Sequence, residues 1–248
     1  MTLETDDEGL IRLQKLLAQS GVASRRKCEE LMLDGQVEVD GEIVTRLGTK
    51  VDPTTAVIRV EGKRLPPVSP HVYLVLNKPR GVVSTMADPE GRRTLSDFVG
   101  DRPERLFHVG RLDTDTEGLI LLTNDGDFAQ RVAHPSYELA KTYVAEVDGV
   151  VTKATIQTMR DGVTLDDGPV AVSRARLVSG GAGKAIVELV IHEGRNRIVR
   201  RLLDQLGHPV RRLTRTAIGP VQLSGLKSGE VRDLTLAELG ELLDKAQL

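Results

Sequence analysis

The run GKRLPPVSPH at positions 62–71 constrains this chain more than any other feature. It holds three prolines in ten residues and shows neither helical nor strand periodicity. Each proline fixes its own φ, removes a backbone donor and biases the preceding residue away from helix. Such a stretch reads as a semi-rigid linker that no helix or central strand can cross. It divides the 248 residues into a small domain at 10–62, a linker at 63–70 and a larger domain at 71–248. At 40% apolar residues and this length, the chain can bury a core without disulfide or metal staples. The single cysteine, Cys28, excludes an internal disulfide framework. No segment approaches the roughly 20 apolar residues of a membrane helix. The acidic start MTLETDDEGL lacks the apolar core of a signal peptide. The expectation is a soluble, cytoplasmic protein with no membrane partner.

In the small domain, Leu13, Leu16 and Leu17 form a helical stripe that Ser20-Gly21 stops. Ser24 is a plausible cap for a second helix, in which Cys28, Leu31 and Met32 repeat the spacing and place Cys28 in the core. Gly35 ends that helix. VEV-DG-EIV then alternates around Asp40-Gly41, a strong hairpin signal. Arg12, Lys15, Arg25, Arg26 and Lys27 cluster on the two helix starts, where they can grip phosphates without reading sequence. The net charge of −2 hides a segregation: seven arginines and one acid, Asp204, lie between Arg195 and Arg215. A polyanion meets such a local basic field; the bland alternative is a solvated arginine face.

In the larger domain, YLVL at 73–76 reads as a buried strand, and Lys78-Pro79-Arg80-Gly81 turns the chain. A lysine at a strand end is ordinarily solvated. In HVGRLDTDTEGLILLTNDGDFAQ, Leu119–Leu122 must be a buried strand, and Asp127 caps the next helix. Asp113, Asp115 and Glu117 crowd the loop before that strand. A carboxylate beside a fixed arginine stays ionised, as a nucleophile or base requires. An Asx-turn is the structural alternative. KTYVAEV alternates as a strand, and spacing alone makes Tyr143 a candidate core residue. Thr152 caps a helix closed by Gly162, and strands follow around 171–178 and 185–191. A helix over Asn196–Leu206 carries Ile198, Val199, Leu202, Leu203 and Leu206 on one face and Arg197, Arg200 and Arg201 on the other. Leu213–Thr216 is a strand, and Thr235 with Glu238 forms a capping box for the last helix. Five histidines without metal-ligand spacing, no G-x-S-x-G and no Walker lysine leave metal, serine-nucleophile and nucleotide-hydrolysis readings without support.

The run RLQKLLAQSGVASRRKCEELMLDGQVEVDGEIV resembles the S4-type RNA-binding domain over about residues 11–60. GRLDxxTxGLxLLTNDG, preceded by K-P-x-G-V-x-S-T and followed by K-x-Y and E-G-R-N-R-x-V-R-R, resembles the RsuA-like branch of the ribosomal RNA pseudouridine synthases. The resemblance implies an α+β fold: a helix–helix–hairpin domain, then a domain with a mixed, mostly antiparallel central sheet flanked by helices. It implies a synthase that isomerises a specific uridine of ribosomal RNA to pseudouridine without cofactor or metal. It assigns catalysis to Asp113, base stacking to Tyr143, and an ion pair with Asp113 to Arg200. Arg111 would hold the flipped nucleotide, with Lys78, Arg195, Arg197 and Arg201 contacting substrate. Family members commonly carry Gln where this chain has Ile198. Asp113 would either attack the sugar or abstract a sugar proton. The expected partner is ribosomal RNA in an assembling subunit, met by a monomer. The rival reading is a non-catalytic RNA-binding or ribosome-assembly factor on the same fold, which has no need for Asp113, Tyr143 and Arg200 together.

Overall fold

The computed structural model describes residues 9–65, 70–100, 102–137, 139–181 and 183–248. The acidic first eight residues and positions 66–69 of the proline-rich linker lie outside the described residues. The chain divides into two compact units, Met1–His71 and Val72–Leu248.

The first unit runs β1 (Ile11–Arg12), α1 (Leu13–Gln19), α2 (Arg25–Leu33), β2 (Val37–Val39), β3 (Glu42–Ile43), β4 (Lys50–Val51), β5 (Ile58–Val60) and β6 (Lys63–Arg64). Helices this short do not persist alone in water. They hold because Leu13, Leu16 and Leu17 of α1 meet Cys28 and Met32 of α2 in one core with Val37, Val51 and Ile58. Ser24 caps α2 by accepting the Lys27 N–H at 3.2 Å. β3, β2, β5 and β6 form an antiparallel sheet. Its first turn places Asp40 (φ 51°) and Gly41 (φ 88°) in left-handed conformations, which the two-residue hairpin demands. The Asp40 carboxylate also accepts the Val57 N–H at 2.8 Å, tying the turn to the neighbouring strand.

The second unit contains β7 (Tyr73–Lys78), β8 (Phe107–Val109), β9 (Thr116–Thr123), α3 (Gly126–Ala133), β10 (Lys141–Asp148), α4 (Lys153–Asp161), β11 (Val163–Leu165), β12 (Gly168–Val170), β13 (Arg174–Gly181), β14 (Lys184–Ile191), α5 (Ile198–Gln205), β15 (Val210–Ile218), β16 (Val221–Gln222), β17 (Val231–Asp233) and α6 (Leu236–Ala246). Its central sheet has the order β13-β14-β10-β15-β9-β7-β17. The β15–β9 pair is parallel and the others are antiparallel, which gives the mixed, mostly antiparallel sheet that the motifs imply.

β9 explains the unbroken apolar run LILL. Side chains alternate across a strand, and here both faces are covered. Ile120 and Leu122 join the core that receives α4 and α5, while Leu119 and Leu121 join the one that receives α3 and α6. α5 contributes Ile198, Val199, Leu202 and Leu203, the apolar face its spacing predicts. Its start is later than expected. Arg197 adopts a left-handed φ of 48°, so the helix begins at Ile198 rather than Asn196. The cap of α3 also differs from expectation. Asp125, not Asp127, accepts the N–H groups of Asp127 and Phe128, at 3.0 and 3.1 Å, because the Asn-Asp-Gly turn runs directly into the helix. Gly118 (φ 110°) sits where β9 approaches β15, and a Cβ there would strike the Arg215 backbone. Among the described residues, no helix is long and apolar enough to cross a membrane.

Candidate active site

A cleft of about 620 Å³ opens between the loop at 110–113, strands β10 and β15, and the segment that leads into α5. That volume is in the range of small-ligand sites. Asp113, Arg111, Tyr143, Arg195, Arg197 and Ile198 are among its lining residues.

The loop carrying Asp113 is held by backbone clips from the first motif. Ser84 is buried and uses its one hydroxyl twice. It donates to the Leu112 carbonyl at 2.6 Å and accepts the Leu112 N–H at 3.1 Å. Gly81 donates its N–H to the Thr114 carbonyl at 2.7 Å. The chain is therefore held one residue to either side of Asp113.

Lys78 serves the same end and corrects the expectation of a solvated, substrate-binding lysine. It is fully buried, and its ammonium donates to the carbonyls of Pro79 (3.1 Å) and Val82 (2.8 Å). Burial pushes its pKa down to about 8, against the pull of Asp113, Asp115 and Glu117. It closes the turn from which Gly81 and Ser84 reach the loop.

The arginines arrange themselves differently from expectation. Arg200 does not pair with Asp113. Its Nε lies 3.4 Å from Asp115, and its Nη2 donates to the Asp115 carbonyl at 2.8 Å and the Thr116 hydroxyl at 3.3 Å. Arg197 grips Asp115 bidentately, with both bonds at 3.0 Å, and places Nη1 3.8 Å from Asp113. Hydrogen bonds from Arg197, with the charge of Arg200, hold the Asp115 carboxyl below its usual range. The physical reason is geometric. The Thr116 N–H bonds the Asp113 carbonyl at 3.0 Å, and this turn presents Asp115 rather than Asp113 to α5. Asp113 is left half-buried beside the cleft.

Arg195 and Arg201 are also occupied. Arg195 bonds Glu193, Asp167 (2.8 Å) and the Pro169 carbonyl (2.8 Å), and Arg201 bonds Asp166 (2.6 Å) and Asp167 (2.7 Å). They tether the β11–β12 turn, whose two acids the sequence reading did not weigh, and in this arrangement they are not free for substrate. Arg111 is exposed on the cleft and has no ionic partner among the described residues.

Tyr143 unites both readings of its position. It is 8% exposed, packed in the core and lining the cleft, opposite Arg215 across the β10–β15 pair. Ile198 is buried against the cleft and makes an apolar wall where a glutamine would present an amide. Sequence reasoning missed Ser84, Lys141 and Arg215 as cleft or loop residues, and it placed Asp115 in the loop without giving it a role. The alternation of β10 and β15 would have placed Lys141 on the Tyr143 face and Arg215 on the Leu213 face.

In the first unit, Arg12, Arg25 and Arg26 are exposed, Lys15 is half-buried, and exposed Lys27 pairs with Glu30 at 2.8 Å. Arg25, Arg26 and Lys27 lie on the first turn of α2, where the helix dipole adds to their attraction for anions.

Comparison with known proteins adds a family-level match for each unit. Residues 72–205 match the RNA pseudouridylate synthase family, and residues 11–57 match the S4 domain. A Mycobacterium tuberculosis protein named as an uncharacterized RNA pseudouridine synthase is 53% identical over 94% of this chain and 92% of its own length. The Bacillus subtilis ribosomal large subunit pseudouridine synthase B is 46% identical over 93% of this chain and 95% of its own. A solved structure described as a pseudouridylate synthase matches with a TM-score of 0.65 and 31% identity, covering 94% of this chain and 99% of that one.

Proposed function

The chain belongs to the RNA pseudouridylate synthase family, with an S4 domain ahead of the synthase domain, and from that premise we propose that it converts a uridine of large-subunit ribosomal RNA to pseudouridine, using Asp113 and no cofactor. The observation that carries this reading is the placement of Asp113. The residues on either side of it, Leu112 and Thr114, are clipped by Ser84 and Gly81, and Asp113 lines a cleft walled by Tyr143.

The reaction breaks N1–C1′, rotates the uracil and joins C5 to C1′. No outside atom is consumed, so no cofactor is required. The nucleotide must first leave its stack, at a cost of a few kcal/mol. Phosphate contacts from Arg12, Lys15, Arg25, Arg26 and Lys27 offset that cost. Arg111 meets the extruded nucleotide at the cleft, and Tyr143 supplies the flat surface on which uracil stacks. Asp113 starts cleavage by bonding C1′ or by taking a sugar proton. Arg197 keeps a positive charge near that carboxylate. Arg200 acts as a positioning residue by fixing Asp115 and Thr116 behind it. The enzyme works in the cytoplasm as a monomer, on an assembling subunit where the target is still reachable.

The test is Asp113→Asn, a change of charge with little change of shape. Tritium release from ribosomal RNA labelled with 5-tritiated uridine is expected to vanish while RNA affinity stays near wild type. Substantial turnover by the variant would overturn the reading.

A further inference from the structure

Two cations in the cleft, Arg215 buried and Lys141 half-buried, have no role in the mechanism above. Arg215 is 3% exposed; it gives its Nε–H to the Leu119 carbonyl at 2.8 Å, and its Nη2 has no hydrogen-bond partner. Lys141 lies two residues before Tyr143, on the same face of β10. Its ammonium donates to the Leu139 carbonyl at 3.1 Å. Tyr143 stands opposite Arg215 in the β10–β15 register, and all three line the cleft. Burial, and the charge of Arg215 after it, push the Lys141 pKa down to about 8. Among the described residues no carboxylate pairs with either cation, in contrast to Arg195, Arg197, Arg200 and Arg201. A buried and a half-buried like charge held close together without an acid are costly, and an anion entering the cleft relieves that cost.

Resting on the reaction assigned above, we propose that Lys141 and Arg215 form an anion site for the departing uracil, holding the charge that glycosidic cleavage leaves on the base. When N1–C1′ breaks, its electron pair stays on N1 and spreads to O2 and O4. This holds whether the Asp113 carboxylate bonds C1′ or removes the C2′ proton. In the first route C5 displaces the carboxylate at C1′; in the second C5 adds to C1′ and the proton returns to C2′. C5 then loses its proton, N1 gains one, and the composition of the nucleotide is unchanged. Cations beside the base favour the anion over the neutral uracil, so they act on the transition state rather than on ground-state binding.

The experiment uses the full chain in excess over in vitro transcribed large-subunit ribosomal RNA, made with either UTP or 5-fluoro-UTP. Rearranged nucleoside is separated by chromatography and identified by mass spectrometry after a single turnover; the fluorinated base has no C5 proton to lose, so its product is the C5-linked nucleoside that has taken up water, OH at C6 and H at N1. Fluorine makes uracil a better leaving group and reduces the need for the cations. Lys141→Met is expected to slow the uridine RNA by about 100-fold and the fluorinated RNA by less than about tenfold. Lys141→Arg should recover most of the rate. Arg215→Lys, which keeps the charge at a buried site, should show the same unequal losses in milder form. Equal losses on the two RNAs overturn the proposal, as does weaker RNA binding that accounts for the loss, since that places the cations on a phosphate. Full activity of Lys141→Met overturns it as well. Wild type that yields no rearranged nucleoside from either RNA overturns the assigned reaction and this site with it, whereas wild-type turnover with equal variant losses overturns this site alone.

Discussion

Asp113 and the arginines around α5 border one cleft but are held by opposite means. The Asp113 loop is fixed by neutral, directional bonds: a buried clip between Ser84 and the Leu112 backbone, and the Gly81 N–H on the Thr114 carbonyl. The arginines are fixed by carboxylates, and some of these are open to water: Asp166 is 83% exposed on its side chain. Neutral buried bonds are indifferent to salt, while exposed ion pairs are screened and contribute little. The contrast separates a reactive group whose position must not vary from charged groups whose partners can be exchanged. A phosphate meets the same planar fork that Asp166 and Asp167 now occupy.

The largest effect is expected from Arg200→Met, because Arg200 belongs to both arrangements. It is 11% exposed on its side chain and braces the loop through the Asp115 carbonyl as well as its carboxylate. Its loss takes a donor from the Asp115 carbonyl, at a cost of about 1–3 kcal/mol of stability, while Arg197 still holds the Asp115 carboxylate. The chemical step should fall by at least ~100-fold, about 2.7 kcal/mol, in single-turnover assays at saturating enzyme. A mild loss equal to that of Arg201→Met would return Arg200 to the surface.

Ser84→Ala should come next. It strands the N–H and the carbonyl of Leu112, each at a cost of about 1–3 kcal/mol. The expected result is a lower Tm and a kcat reduced about tenfold, which corresponds to 1.4 kcal/mol, with KM nearly unchanged. An unchanged kcat would show that the clip serves stability alone.

Arg201→Met sharpens the contrast from the ionic side. It should leave the single-turnover rate within a few-fold of wild type while freeing the β11–β12 turn, read as faster amide exchange there. Raising the salt on wild type should loosen this turn and leave the Asp113 loop protected. If both loosen together, the distinction fails.

The smallest effect concerns acid. Two bonds of 2.7 Å from Arg232 to Glu238, in the capping box of α6, hold the Glu238 carboxyl down at about 2, against an ordinary 4.5. A depressed carboxyl contributes stability above its unfolded value and loses it as pH falls. The gap in stability between wild type and Glu238→Gln should be present at pH 7 and close between about pH 4.5 and 2. The gap from Ser84→Ala should persist through that window, because no titrating group makes that clip.

Much of this was legible in the sequence, and the failures share a cause. β9 and the apolar face of α5 follow from local periodicity, and the hairpin at Asp40-Gly41 follows from turn chemistry. The GRLD loop could be picked out as the site, but not its internal geometry. Asp113 and Asp115 are two residues apart and chemically alike. Which one meets Arg200 is decided by the turn that the Thr116 N–H closes on the Asp113 carbonyl, and the chain entering that turn is held by Ser84, 28 residues upstream of the residue it clips. Apart from Glu193, the acids that hold Arg195 and Arg201 lie 28 to 35 residues away on the β11–β12 hairpin, so local sequence does not show that these arginines are occupied. Lys78 was misread for a related reason: nothing local to a strand end reveals that two carbonyls curl back over its ammonium.

The position of β15 has a consequence for how the chain is made. It is one of the last strands in sequence, yet it sits inside the sheet between β10 and β9. While the chain is being synthesised, β9 and β10 each present an unpaired edge until residues 210–218 have emerged. Exposed edges invite mispairing and aggregation, and non-local pairings form slowly. Closing the sheet is also what brings Arg215 opposite Tyr143. The cleft and the centre of the sheet are therefore completed in one late event, and a ribosome stalled before that point carries no partly working enzyme.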